Sequence, residues 1–462
     1  MHYLTIDQGG HGSRAVLFDG SGRLVGSALV NVAEHRPMPG RVEQDPVEIL
    51  ESIRNAVHRL LAAHGDIEIT AAGLATQRSS VICWDRQSGE PLTPVISWQD
   101  RRQGPFLPPH DRSHEEVRRR TGLRISPHYG AGKLRWCLEN NRAVASSMKA
   151  GRLACGPLAS FLLFSLLPER PLVVDPANGC RTLLWNLEGG GWDQELLEWA
   201  GVPRSVLPQP APTRSRFGFL STAAGPVPLT VLNGDQSCVP FALGKPREDT
   251  VYVNLGTGAF LQRIRSRGSS SPNGLLRSVI LQDGKVSLQV EEGTVNGAGS
   301  ALDVTGCNEV QGPWLESEEP PLYLNGVSGL GSPWWEPDFP TRFIGEGDAA
   351  ATRDGVVESI LFLIRANLDR MRECGPVDRL VVTGGLSRST PVCRRLADLC
   401  DLTVVRPEMD EATSAGLAFL TAGSPGNWNE NPAVETFTPA GDHPIRRRYG
   451  RWLSAMERLL QR

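Results

Sequence analysis

Residues 1–19 read Met1-His2-Tyr3-Leu4-Thr5-Ile6-Asp7-Gln8-Gly9-Gly10-His11-Gly12-Ser13-Arg14-Ala15-Val16-Leu17-Phe18-Asp19. An apolar strand ends at Asp7, a glycine-rich turn follows, and a second strand runs from Ser13 to Phe18. Residues 250–264 repeat the plan in other letters: strand 251–255, turn Gly256-Thr257-Gly258, strand 259–264. Glycine at such turns supplies positive φ or close backbone approach, so each passage predicts a β-hairpin. One hairpin alone carries little meaning, because glycine marks hairpins generally. Two of them, each opening one half of the chain, point to a duplicated design.

Between the hairpins, residues 46–63 carry Ile49, Ile53, Val57 and Leu60-Leu61 at helical spacing, which predicts a core-facing helix. Residues 67–75 and 95–98 predict buried strands. Residues 354–373 predict the longest helix, followed by strand 380–383, turn Gly384-Gly385 and a helix ending near Cys400. Strands alternating with helices make the chain α/β, with largely parallel or mixed sheets. At 462 residues it exceeds one ordinary core, and the expected boundary at 240–246 gives domains 1–240 and 241–462.

Composition narrows the class. The net charge is −3 with acids and bases interspersed, which excludes both a basic nucleic-acid stripe and a solvated acidic tail. Nine scattered cysteines without a CxxC pair suit free thiols in a reducing compartment. The chain opens directly into a strand, with no charged segment and apolar run of a signal peptide. Its most apolar stretch, residues 159–167, is closed by Pro168-Glu169-Arg170 and is too short for a bilayer. A cytoplasmic enzyme is the expectation, with no nucleic-acid or membrane partner.

Asp7-Gln8-Gly9-Gly10-His11-Gly12-Ser13-Arg14 offers several backbone N–H groups in a tight turn, an anion nest beside a carboxylate suited to phosphate-bound Mg²⁺. No Gly-Lys pair has Walker A spacing, and the strand after Gly12 excludes a dinucleotide fingerprint. Phosphate binding is therefore expected from the paired hairpins. Asn233-Gly234-Asp235-Gln236 follows the apolar strand 229–232, so Asp235 stands at the strand end where α/β sheets bind ligands. Phosphoryl transfer to a hydroxyl needs such a carboxylate as base. A lone Gly-Asp is ordinarily a turn; its place before the second hairpin favours the catalytic role.

Thr76-Gln77-Arg78-Ser79-Ser80 and Ser97-Trp98-Gln99-Asp100-Arg101-Arg102 both follow strands. Together they offer directional hydrogen bonds and an aromatic face for the C–H side of a polyol. Arg101 and Arg102 are assigned instead to a surface ion-pair network. Thr383-Gly384-Gly385-Leu386-Ser387 is a strand-to-helix turn whose backbone can approach adenine or phosphate. The small-residue helix 412–418 suits close packing as well as ligand contact.

In this order the passages resemble the FGGY carbohydrate kinases, and the glycerol kinases among them most. The matches are Ile6-Asp7-Gln8-Gly9, Val42-Glu43-Gln44-Asp45-Pro46, Gln77-Arg78, Trp98-Gln99-Asp100-Arg101-Arg102, Thr121-Gly122-Leu123 through Ser126-Pro127, and Asn178 with Arg181-Thr182. They continue in Gly234-Asp235-Gln236, Gly256-Thr257-Gly258, Glu292-Gly293, Gly329-Leu330-Gly331, Gly384-Gly385 and Ala412-Thr413-Ser414-Ala415-Gly416. The resemblance implies two actin-like (ribonuclease-H-like) domains with a catalytic cleft between them. The N-terminal domain would take the sugar or polyol and carry the first phosphate loop, and the C-terminal domain would take the nucleotide. It implies ATP and Mg²⁺, with Asp235 as catalytic base and Asp7 and Asp235 toward the metal. Arg78, Ser79, Trp98, His128, Asp235, Gln236 and Phe260 would line the acceptor pocket. Gly10, His11, Ser13, Arg14, Gly256, Thr257, Gly258, Gly299, Gly384, Gly385 and Ser389 would contact the nucleotide. A homodimer is the assembly it suggests.

Three positions depart from the glycerol kinase pattern. Gly10-His11 stands where a Thr-Thr pair is usual, removing two hydroxyl donors; His11 either donates to phosphate or fills space. Ser79 replaces a Glu and His128 replaces a Tyr. Polar contacts left unmade cost about 1–3 kcal/mol each, so the expected acceptor is a longer polyol or a ketose such as a pentulose, not glycerol alone. The stretch 221–230 is short and lacks the basic glycine-rich loop of allosteric glycerol kinases, so that regulation is not carried over. The competing expectation, motivated by Gly10-His11, is a sensor of the same fold that binds sugar and nucleotide without chemistry.

Overall fold

Leu4 and Ile6 are fully buried in strand His2–Gln8, and this strand organises a six-stranded sheet. The computed structural model describes residues 1–65, 67–103, 114–265, 273–284, 286–409, 411–428 and 434–461. The sheet runs Leu24–Asn31, Gly12–Asp19, His2–Gln8, Ile69–Thr76, Gly225–Gly234, Arg214–Thr222. The first three strands are antiparallel, the next two join in parallel, and the last returns antiparallel.

A second sheet repeats this order and sense. It runs Val286–Val295, Ala259–Ile264, Thr250–Leu255, Arg379–Thr383, Thr403–Pro407, Val434–Phe437, with Leu276–Asp283 added beside Val286–Val295. Its pairings are again two antiparallel, two parallel and one antiparallel. The duplicated hairpins legible in the sequence are the starting strands of two sheets with one topology.

The chain divides into two compact units. One comprises Met1–Lys245, Ser278–Gln289 and Glu411–Glu430; the other comprises Pro246–Arg277, Val290–Asp410 and Asn431–Arg462. In the first, helix Pro46–His64 is capped by Asp45, whose side chain accepts from Val47 N, and it buries Ile49, Ile53, Val57, Leu60 and Leu61 as their spacing predicts. In the second, helix Ala349–Arg372 is capped by Asp348, which accepts from Ala351 N. Helix Ile445–Leu460 adds the fully buried Trp452, whose Nε1 donates to Tyr323 O at 2.9 Å. All nine cysteines are free. Among the described residues no helix is long and apolar enough to cross a membrane.

Two segments beyond residue 240 fold with the first unit, where a single cut in the chain would exclude them. Ser278–Gln289 is held by polar bonds. Asn233 Nδ2 donates to Ile280 O at 3.1 Å, and Arg214 N donates to Asp283 Oδ1 at 2.9 Å. The other is helix Ala412–Thr421, which packs against strands His2–Gln8 and Ile69–Thr76 and the turn Asp235–Cys238. A Cβ on Gly416 would stand 1.9 Å from Cys238 O, so only glycine allows that approach. Of the two roles open to this small-residue helix, close packing is the one visible here.

Replacing Gly416 by Ala should therefore cost about 1–3 kcal/mol or more and lower the thermal midpoint by several degrees. An unchanged midpoint would show that the helix does not pack this tightly.

Candidate functional site

In the first unit the parallel register decides what meets what. Asp7 pairs with Ala75 and Ala75 with Asn233, while Gln8 pairs with Thr76 and Thr76 with Gly234. Three neighbouring strands thus end at one level. The residues that follow, with Asp7 and Gln8 themselves, gather at one edge of the sheet: Gln77-Arg78 on the middle strand and Asp235 on the third. Parallel strands make such a carboxyl edge the place for ligands.

Arg78 is buried and lies across Gly234, where a Cβ would stand 2.5 Å from Arg78 Cδ. Its Nε is 3.9 Å from Asp235 Oδ1, and its Nη1 donates to Ser237 Oγ at 3.4 Å. Asp235 Oδ1 also accepts from Gln236 N at 2.7 Å. Surrounding protein pushes the Asp235 carboxyl above the ordinary range and Arg78 opposes the rise. Its side chain keeps 23% exposure, so water moderates both effects.

Asp7 faces a stronger field. Burial pushes it up to about 8, Asp235 and Glu411 add to the rise, and Arg14 opposes it. Its Oδ1 is buried without a hydrogen-bond partner. Arg14, opposite Asp7 across the hairpin, is held by Glu411 at 2.8 Å.

The turn after Asp7 is closed by Gly9 N donating to Gly12 O at 2.9 Å. A chain of side-chain amides and a hydroxyl ties this loop to Trp98. Gln44 Nε2 donates to Gly10 O at 2.8 Å and Gln77 Nε2 to Gln44 Oε1 at 2.7 Å. Ser80 Oγ donates to Gln77 Oε1 at 3.0 Å, and Trp98 N donates to Ser80 Oγ at 2.9 Å. The Trp98 indole remains 40% exposed, and its Nε1 is 3.9 Å from where a Cβ on Gly10 would stand. His11 is exposed. Ser13 is fully buried and its hydroxyl shares a 2.7 Å bond with Ser52 on helix Pro46–His64.

His128 Nδ1 lies 3.2 Å from Trp98 O. Burial and neighbouring cations push the ring down to about 4. It is therefore neutral at pH 7, and because a carbonyl can only accept, Nδ1 carries the proton and Nε2 is left an acceptor. Ser79 is buried with φ 67°, a left-handed conformation uncommon outside glycine.

The second unit presents two glycine turns at one sheet edge, since Asn254 and Thr383 pair in parallel. Gly256 N donates to Gly258 O at 2.9 Å, and Gly299 N donates to Gly256 O at 3.0 Å. Thr257 is exposed. Gly384 has φ 90°, and a Cβ there would stand 2.5 Å from Leu255 O, so it must be glycine. A Cβ on Gly385 would meet open space. Ser389 precedes helix Thr390–Cys400 and its N donates to Leu386 O at 3.2 Å. Phe260 belongs to this unit, partly buried opposite Asn254.

One expectation is corrected. The network of Arg102 is buried: its side chain is 3% exposed and bonds Asp100, itself inaccessible, and Glu43. Its guanidinium lies 4.8 Å from the Trp136 ring centre. Gln44, Glu411 and Lys133 are given no site role by the sequence, and Gln77, expected among the polyol-binding residues, is joined to Gln44 instead. Gln44 and Gln77 lay inside matching passages, which was the available signal; Lys133 had none.

Residues 2–238 match the model of the N-terminal domain of the FGGY family of carbohydrate kinases, and residues 251–424 match its C-terminal domain. The glycerol kinase of Allorhizobium ampelinum is 33% identical, covering 95% of this chain and 92% of that protein. That of Saccharolobus islandicus is 29% identical over 99% and 96%. A crystal structure of Plasmodium falciparum glycerol kinase with ADP superposes with a TM-score of 0.87 at 22% identity, covering 99% of this chain and 98% of that one. Xylulose kinase of Rhodospirillum rubrum superposes with a TM-score of 0.84 at 18% identity over the whole of both chains. The fold is that of two ribonuclease-H-like domains. The chain belongs to the FGGY family of carbohydrate kinases.

Proposed function

We propose that this kinase transfers the γ-phosphoryl group of ATP to a hydroxyl of a small sugar or polyol, with Asp235 as the base. The observation that carries the proposal is the common level of three strand ends, which gathers Asp7, Arg78 and Asp235. The acceptor oxygen forms a bond to the γ-phosphorus, the bond to ADP breaks, and the hydroxyl proton passes to Asp235. Arg78, 3.9 Å from Asp235, favours the ionised base. Trp98 would present its face to acceptor C–H groups, and neutral His128 would accept from a hydroxyl through Nε2.

The carboxylates fit a hard divalent cation. Asp7 Oδ1 is a buried acceptor without a partner, raised first by burial and then by Asp235 and Glu411. Among the described residues no three acidic, His or Cys side chains form a metal cluster. Mg²⁺ uses one or two carboxylates and takes its other ligands from phosphate and water. Asp7 and Asp235 would hold it, and its chemistry there is to neutralise charge on the phosphate oxygens. Nucleotide contacts in the second unit are proposed for Gly256-Thr257-Gly258, Gly299, Gly384, Gly385 and Ser389, and phosphate contacts in the first unit for Gly10, His11 and Arg14. Ser13 is the further residue of this set, buried in strand Gly12–Asp19 with its hydroxyl engaged by Ser52.

For the acceptor, Ser79 supplies no carboxylate to a glycerol hydroxyl. A longer polyol or a pentulose suits the smaller side chain better, and the relatives that act on glycerol and xylulose bracket that range. A panel of glycerol, D-xylulose and longer polyols with ATP, read as ADP release, should give the highest kcat/KM with an acceptor larger than glycerol. Silence with every acceptor despite measurable ATP binding would favour a sensor. Asp235→Asn should lower kcat by about 10²–10⁴-fold and leave ATP binding nearly intact; near-normal turnover would remove Asp235 from the chemistry.

Asp7 also yields a pH prediction. Its folded value, about 8, exceeds the ordinary 3.8, so between these limits the folded chain holds a proton that the unfolded chain has lost. Stability contributed by Asp7 therefore falls as pH rises through that window. Without ATP and metal, Asp7→Asn should raise the thermal midpoint more at about pH 8 than at about pH 5 while abolishing most kinase activity. An equal or opposite effect at the two pH values would contradict the buried, unpaired carboxyl.

A further inference from the structure

Lys133, on helix Gly130–Asn140, is completely buried. Its Nζ donates to three main-chain carbonyls: Ser97 O at 2.7 Å, His128 O at 2.8 Å and Ser79 O at 3.1 Å. Three donors meet three acceptors, the full capacity of an ammonium group. Among the described residues no carboxylate pairs with it; Asp100, which acts on it electrostatically, is bonded to Arg102. A buried cation held by carbonyls alone is costly, and an apolar side chain of similar length would fill this space with less penalty.

The carbonyls come from three separate segments. Ser79 follows Arg78 beyond strand Ile69–Thr76, Ser97 immediately precedes Trp98, and His128 lies before the helix that carries the lysine. Each segment carries at least one residue assigned to the acceptor pocket. Two further features fall within the same cluster. His128 Nδ1 bonds Trp98 O, and Ser79 holds the left-handed conformation that its neighbours must maintain. We propose that Lys133 is a positioning residue for the acceptor pocket, fixing Ser79, Trp98 and His128 relative to one another through one ammonium group. The proposal rests on the acceptor assignment made above. Burial pushes the ammonium down to about 7, while three convergent carbonyls favour the charged form that supplies all three donors.

The alternative role is a structural strut, and the two are separable. Lys133→Met keeps the stem and removes the donors; Lys133→Gln keeps two N–H donors and serves if the Met variant does not fold. With glycerol and D-xylulose as probes, the acceptor KM should rise roughly 10–100-fold, the scale of a displaced reacting group, while the KM for ATP stays within about twofold. Amide hydrogen exchange should accelerate at residues 78–80, 97–99 and 127–129 and remain unchanged in the second unit. Unaltered acceptor KM with a lowered thermal midpoint, or exchange that rises evenly over the chain, would overturn the proposal. If the wild-type enzyme phosphorylates neither probe nor any other acceptor, the proposed function fails by itself. The exchange pattern, which needs no turnover, then still tests whether Lys133 fixes the three segments relative to one another: local acceleration there supports that tie and its absence overturns it.

Discussion

The register between strands His2–Gln8, Ile69–Thr76 and Gly225–Gly234 is the constraint on which the site depends. Side chains alternate along a strand, so a one-residue slip would turn Asp7 away from the edge that Arg78 and Asp235 share. The register is held by burial, since Leu4, Ile6, Leu74 and Leu232 are all inaccessible, and a slip would bring Thr5, Asp7 or Asn233 into places now filled by apolar side chains. Hydrophobic patterning thus sets the position of the charged groups. The second sheet applies the same topology to two glycine turns, which explains why one chain can carry two loop-bearing edges of equal design.

Polar groups buried around the first loop would be costly if unpaired. They are connected instead. The chain Gly10, Gln44, Gln77, Ser80, Trp98 joins a phosphate-type loop to an aromatic platform through side-chain amides and a hydroxyl. Lys133 then joins that platform to Ser79 and His128. Asp7 is the exception, a carboxylate with an unpartnered buried oxygen in a field of two other carboxylates. Such a group is expensive in the ligand-free protein, and a cation with phosphates would relieve it.

Much of this was legible in the sequence because it is local. Hairpin 1–19, hairpin 250–264 and helix 46–63 announce themselves by glycine placement and periodicity, and Asp235 by its position after an apolar strand. What was hidden depends on distant partners. Gly416 reads as one small residue among several until Cys238 O lies against it, and the chain's return to the first unit at Glu411–Glu430 follows from that contact. Arg102 reads as a surface cation because its charge favours water; Asp100 and Glu43 pair it in the interior. Lys133 binds only backbone carbonyls, which every residue possesses, so no sequence pattern could mark its partners. Hydrogen bonds from side chains to main chain are the part of a site that composition and spacing conceal.

Catalysis as proposed requires a hydroxyl of the acceptor to meet the Asp235 carboxylate. A crystal structure with ADP, Mg²⁺ and the best acceptor tests it directly. The expected result is one acceptor hydroxyl within about 2.6–3.2 Å of an Asp235 oxygen, the reach of a general base, with Trp98 against the C–H face. An acceptor bound with no hydroxyl near Asp235, or bound away from Arg78 and Trp98 altogether, would contradict the account.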